Sequence, residues 1–234
     1  RRIYRCCCWW RINVTLGNIG KPTVDQFDGY KKLFLVPFVT SFAQDANLDK
    51  LIDKYWDEVE EQITNLESRF GSTSEIFLEG AVVGGETELD ELAKANPSSV
   101  SLIKSIVSRG AVLRKTEEAE PLLEAVDLQR CLMVTQASIK VHQQLSEWLS
   151  DARKRRYSTI SSNIDATLGA NKVGVLIISQ DHQVQFPEDT KVFYIAPPAL
   201  NQIEGYIRDQ STKKASDIKP EETKTNGPDD LIDN

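Results

Sequence analysis

Two histidines, one methionine and four cysteines in 234 residues leave little material for metal or thiol chemistry. Cys6, Cys7 and Cys8 are contiguous and Cys131 stands alone. Adjacent cysteines point in divergent directions, so this spacing suits neither a disulfide framework nor a CxxC metal knuckle. No apolar stretch approaches the roughly 20 residues that span a bilayer, and the first residues lack an apolar h-region with a small-residue cleavage site. The expectation is a cytoplasmic protein without a membrane partner. Clustered positive charge is also scarce: the net charge is -7, which argues against the phosphate-binding footprint of a nucleic-acid partner. The exception is the run Arg153, Lys154, Arg155 and Arg156. Gly84-Gly85 lacks both the Lys-Ser/Thr of a P-loop and the spaced glycines of a dinucleotide fingerprint, and reads as a loop.

What the chain does contain is an alternation of strand and helix signals, with 40% hydrophobic residues. Residues 1–30 lack a clear period, pair three cysteines with Trp9-Trp10, and read as a poorly structured extension. A thiol metal site or a lipidated basic anchor is the alternative there. Residues 211–234 mix charge, Pro and Gly without aromatics and read as a disordered tail. Between them, residues 31–210 form the expected domain. The run KLFLVPFVT (residues 32–40) suits a strand buried on both faces. Leu48, Ile52, Tyr55, Val59, Ile63, Leu66 and Phe70 recur at helical spacing, with Asp45 or Asn47 as the cap and Gly71 as the stop. A second strand is expected at EIFLE (75–79), a short acidic helix and a helix over 98–109 after it, and a helical stretch over 117–168 with a break near Val134-Thr135. Ile139, His142, Leu145, Leu149, Ala152, Arg156, Ile160, Ile164 and Leu168 fall on one stripe of that stretch, which makes His142 a partly buried packing residue. Strands at 173–178 and 191–195 flank a loop carrying His182, and a Pro-started helix follows. The expected fold is α/β: a single domain, a mostly parallel sheet flanked by helices, and a long helix before the C-terminal strands.

In such a sheet ligands bind beyond the carboxyl ends of the strands. Glu79 and His182 should both emerge there, so this edge is the expected cleft. For each candidate an ordinary reading stands beside the functional one. Glu79 before Gly80 can simply end a strand, His182 in SQDHQ can be a solvated loop residue, and Arg153 to Arg156 can be a solvated helix face with i to i+4 partners.

Four stretches carry a resemblance: KLFLVPFVTS; YWDEVEEQI with EIFLEG; RGAVLRKTEEAEPLLEAVDL; and RRYSTISSNIDATLGANKVGVLIISQDHQVQFPEDTKVFYI. Together they resemble a prokaryotic α/β family of hypothetical proteins over residues 32–195, and more distantly the TraB, ChaN and erythromycin-esterase group. The distant resemblance implies that Glu79 matches a strand-end carboxylate, His182 a late histidine, and Arg153 or Arg156 a helix arginine. Where that group has Pro-x-x-His after its first strand, this chain has Pro37, Phe38, Val39 and Thr40. A site built on two His and a Glu loses a ligand or proton acceptor when one becomes Thr, because a hydroxyl is too weakly basic near neutral pH. The expectation is therefore a ligand-binding or regulatory domain whose site comprises Glu79, His182, Arg153, Arg156 and Thr40, taking a small polar ligand. The alternatives are a metal-assisted hydrolase and a protein-interaction or homo-oligomeric module using the long helix. Neither a cofactor nor a metal is specified by the sequence.

Overall fold

The computed structural model describes residues 24–41 and 45–217. Five strands, β1 (Lys31–Pro37), β2 (Thr73–Leu78), β3 (Val112–Arg114), β4 (Val173–Ile178) and β5 (Thr190–Tyr194), form one sheet in the order β3-β2-β4-β1-β5. Every pairing is parallel. The protein is thus a single-domain α/β fold with helices on both sides of its sheet, as the sequence pattern implies. The three-residue β3 is the strand the pattern misses: only Leu113 of the three is buried, too short a signal for an alternation.

The period-2 geometry of β1 explains why its sequence is apolar throughout. Phe34 and Val36 point into one core and Leu33 and Leu35 into another, and all four are buried, as expected for a strand covered on both faces. On the first face lie α1 (Ala46–Phe70), α2 (Gly85–Ala95), α3 (Pro97–Ser108) and α6 (Pro198–Asp217). Asp45 caps α1, accepting from the Asn47 and Leu48 amides at 2.9 and 3.3 Å, and Gly71 ends it with φ 97°, a left-handed value that glycine adopts without a Cβ penalty. Tyr55 of α1 donates its buried hydroxyl to the Pro37 carbonyl at 2.6 Å, tying the helix to the end of β1.

On the second face, α5 (Ile139–Thr167) lays Tyr157, Ile160 and Ile164 on the sheet, and the β4–β5 loop adds Val184. In front of α5 packs α4 (Ala119–Met133), through Ala125, Leu149 and Ala152. The stripe anticipated along α5 is buried from Leu149 onward. Ile139 and His142 are exposed, so His142 is not a packing residue: among the described residues nothing covers the face it occupies at the start of α5.

Both domain boundaries move outward. Val24–Phe27 forms a 3-10 turn, and Phe27 packs its ring at 5.4 Å from Phe70 and 5.3 Å from Phe193, so residues 24–30 belong to the domain. At the other end α6 continues to Asp217. Cys6 to Cys8, Trp9-Trp10 and residues 218–234 lie outside the described residues. Among those described, no helix is long and apolar enough to cross a membrane.

Candidate functional site

Parallel pairing places the carboxyl ends of all five strands on one edge. There β2 leads into helices on the first face, whereas its neighbour β4 leads into a loop on the second. A crevice opens where adjacent strands diverge in this way. Glu79 follows the last residue of β2 and keeps its amide in the ladder, donating to the Ile177 carbonyl at 2.9 Å. Ser179 to His182 follow β4 as a turn, with the His182 amide 3.2 Å from the Ser179 carbonyl.

Arg156 of α5 reaches this crevice and joins two carboxylates. Its Nη2 donates to Glu79 Oε1 at 3.0 Å and to Glu117 Oε1 at 2.7 Å, and its Nε donates to Glu117 Oε2. The remaining acceptors are also engaged: Glu79 Oε2 by the Ser179 amide and Glu117 Oε1 by the Gly80 amide, both at 2.7 Å. The Glu117 side chain is only 1% exposed and that of Arg156 14%. Burial alone works against the arginine's charge, but the hydrogen bonds and charges of Glu117 and Glu79 outweigh it and hold the guanidinium above its ordinary range. The result is a closed clamp that fastens α5 to the ends of β2 and β4 and to the β3–α4 connection.

Thr116 and Glu117 place that connection. Their amides share the Ala81 carbonyl, each at 2.9 Å, while Thr116 Oγ1 accepts from the Leu78 amide at 2.9 Å. Asn163 of α5 donates to the Thr116 carbonyl at 3.0 Å. Glu117 was not singled out by the sequence, where it sits in an acidic run. The available signal was its position: like Glu79, it closely follows a short strand.

His182 lies beside the clamp without touching it. Burial draws its pKa below the ordinary value, against the opposing attraction of Glu79 and Asp181. Its Nδ1 accepts from the Val184 amide at 3.3 Å, which assigns the neutral ring's proton to Nε2. The ring packs edge-on against Phe186 at 6.4 Å.

The other sequence candidates separate. Arg153 points away from the clamp, with Nη2 3.5 Å from Gln129 of α4. Lys154 pairs with Asp151 at 3.1 Å and Arg155 with Glu124, so no two of the four consecutive cations share a partner. Thr40 stands three residues beyond β1 on the same edge. Its hydroxyl is 3.5 Å from the Ser41 carbonyl, and it makes no described contact with Glu79, His182 or Arg156.

Two open clefts lie between α5 and the β4–β5 loop. One, of about 350 Å³, is lined by Lys154, Tyr157, Ser158, Ser162 and Gln183 among others. The second, of about 390 Å³, is lined by Ser150, Arg153, Tyr157, Asp181 and Gln183 among others. Tyr157 and Gln183 form the wall that the two share. The Tyr157 ring is 9% exposed, and its hydroxyl has no hydrogen-bond partner among the described residues. Burial first, then the charges of Asp181 and Glu79, raise its pKa, so the phenol stays a neutral donor near neutral pH. Among the described residues no three His, Cys, Asp or Glu side chains converge in a way that could hold a metal ion. Neither a family model, nor a curated protein, nor a solved structure matches the chain.

Proposed function

We propose that the protein is a ligand-binding or regulatory domain that takes a small polar ligand in the clefts flanking Tyr157. The observation that carries this reading is the Tyr157 hydroxyl: a donor on a nearly buried ring, without a hydrogen-bond partner among the described residues, on the wall of two clefts whose polar lining is Ser, Gln, Lys154, Arg153 and Asp181. That hydroxyl opens to the clefts, so an acceptor on a ligand can take the place that water otherwise fills there. Lys154, whose bridge to Asp151 is exposed, favours a ligand whose acceptors carry negative charge in the first cleft, whereas the second sets Arg153 beside Asp181. The clamp beneath has a supporting role: it fixes α5, and so Tyr157 next to Arg156, relative to the loop that bears Asp181 and Gln183.

The hydrolase alternative draws less support. Every carboxylate oxygen of Glu79 and Glu117 already accepts from an amide or from Arg156. Activating a water or a metal there would require breaking the clamp, and Thr40 supplies no base.

The test is a thermal-shift and calorimetric screen of the whole chain with inorganic phosphate, citrate and malate, repeated on Tyr157→Phe. Since the hydroxyl has no partner, the substitution should leave unfolding unchanged to within about 0.5 kcal/mol. It should weaken binding by about tenfold, the loss of one hydrogen bond to a charged acceptor. If all three anions fail to shift the wild type, or if the shift persists undiminished in Tyr157→Phe, the reading is wrong.

A further inference from the structure

The α4–α5 hairpin ends in an apolar cap that the other described residues leave uncovered. Met133, Val134 and Ile139 are 75%, 67% and 78% exposed, and Val141 and Trp148 are exposed on the following turns of α5. A single exposed apolar side chain needs no explanation, but several gathered at the joined ends of two helices mark a contact surface. Charge is distributed just as unevenly. The chain has 35 Asp and Glu, yet none falls between Asp127 and Glu147. That stretch carries Arg130, which pairs with Asp127 at 3.2 Å, and Lys140, which has no ionic partner among the described residues.

We infer that this cap docks on the surface of a bilayer containing anionic lipids. Reach is the first argument. The 29 residues of α5 span about 43 Å at ~1.5 Å each, whereas the six of β4 cover about 20 Å. Because α5 ends shortly before β4 begins, its first turns reach beyond the strand that its last turns cover. The distribution of exposure is the second. It is greatest at the turn, and Asp127, Glu147 and Asp151 interrupt any apolar stripe further down. A partner helix laid along the hairpin would need that stripe to continue, whereas a shallow wedge needs only the tip. Depth is the third. A cap immersed by ~5–10 Å puts Met133, Val134 and Ile139 at the top of the acyl chains and Arg130 and Lys140 near the phosphates. Trp148, about 13 Å along the helix from Ile139 at ~1.5 Å per residue, then lies at headgroup level, where amphipathic rings are favoured. The chain's overall negative charge acts against the approach, but fields are screened within ~8–10 Å at physiological salt, so Lys140, the charge nearest the tip, acts on the surface more than the distant acids do. This is contact with a surface and is separate from the crossing that the lack of a long apolar helix speaks to. It does not depend on the cleft.

Flotation of the whole chain with vesicles tests it, comparing phosphatidylcholine alone with a mixture holding roughly 30% phosphatidylglycerol. The wild type should float with the mixed vesicles. Met133→Asp combined with Ile139→Asp should lower the partition coefficient by at least about tenfold, and Lys140→Glu by about fivefold on mixed vesicles only. All three positions are exposed, so the unfolding midpoints should not move. Failure of the wild type to float would overturn the inference, as would flotation of the double variant equal to the wild type, since another part of the chain would then make the contact. Sedimentation showing a wild-type dimer that the double substitution abolishes, without vesicle binding, would assign the cap to contact between copies instead.

Discussion

Replacing Arg156 by Met should unfold the domain far more readily than any surface charge change, because it leaves two carboxylates facing each other with no cation between them. The Glu117 side chain is 1% exposed and that of Glu79 15%, so water cannot readily replace the guanidinium. Removing one partner from a buried ion pair costs about 3–5 kcal/mol, mostly through the charge left behind. In a domain of this size each kcal/mol moves the thermal midpoint by about 2–4 °C, so the expected drop is about 6–20 °C by circular dichroism. Two controls separate the clamp from simple loss of volume or charge. Arg155→Met removes the neighbouring arginine, whose bond to Glu124 is exposed, and should leave the midpoint where it is. Adding Glu79→Gln and Glu117→Gln to Arg156→Met removes the stranded charges while keeping acceptors for the Ser179 and Gly80 amides, and should recover most of the loss. An Arg156→Met midpoint no lower than that of Arg155→Met would refute the argument that these groups form a buried clamp.

Two further predictions concern the same edge. Gly84 has φ 80°, and a Cβ there would lie 2.8 Å from the Lys115 nitrogen and 2.9 Å from the Leu113 oxygen, both backbone atoms, so Gly84→Ala should cost about 2 kcal/mol or more in urea unfolding. Gly80, with φ 87° and nothing within 4 Å, meets only the conformational penalty, and Gly80→Ala should cost about 1 kcal/mol; equal losses would show that the Gly84 contact is not tight. His182 has its pKa lowered by burial, partly offset by Glu79 and Asp181. Its unfolded form therefore binds the proton more readily, and the stability of the neutral folded ring is fully present above ~6.5 and declines as pH falls below that value. His182→Gln should flatten that part of the stability profile, and an unchanged slope would place the titration elsewhere.

The fold was legible because its strongest signals are those that burial enforces. β1 and β4 are covered on both faces and so read as unbroken apolar runs, and the α1 pattern with its Asp45 cap and Gly71 stop gives the helix to within two residues at each end. β3 escaped because three residues with one buried side chain carry no period. His142 is exposed, against the expectation from its spacing, for a related reason. Apolar spacing on a helix says which positions share a face, but not whether anything lies opposite. The first turns of α5 keep the spacing and project into solvent.

For the candidate site, topology was the readable part. Once every strand is parallel, Glu79 and the segment bearing His182 must emerge from neighbouring strands on one edge, and Arg156 is brought to Glu79 by the register of α5. What the sequence cannot convey is how much of each group's bonding capacity remains. Arg156 and Glu79 look like functional residues in one dimension, and in three they and Glu117 satisfy one another and two backbone amides. Tyr157 shows the converse: next to Arg156 in the chain, it carries no sequence signal of its own, yet its hydroxyl is the group left with a bond to give. A convergence of charged side chains therefore locates the rigid part of this edge, and the unpartnered donor beside it locates the part open to a ligand.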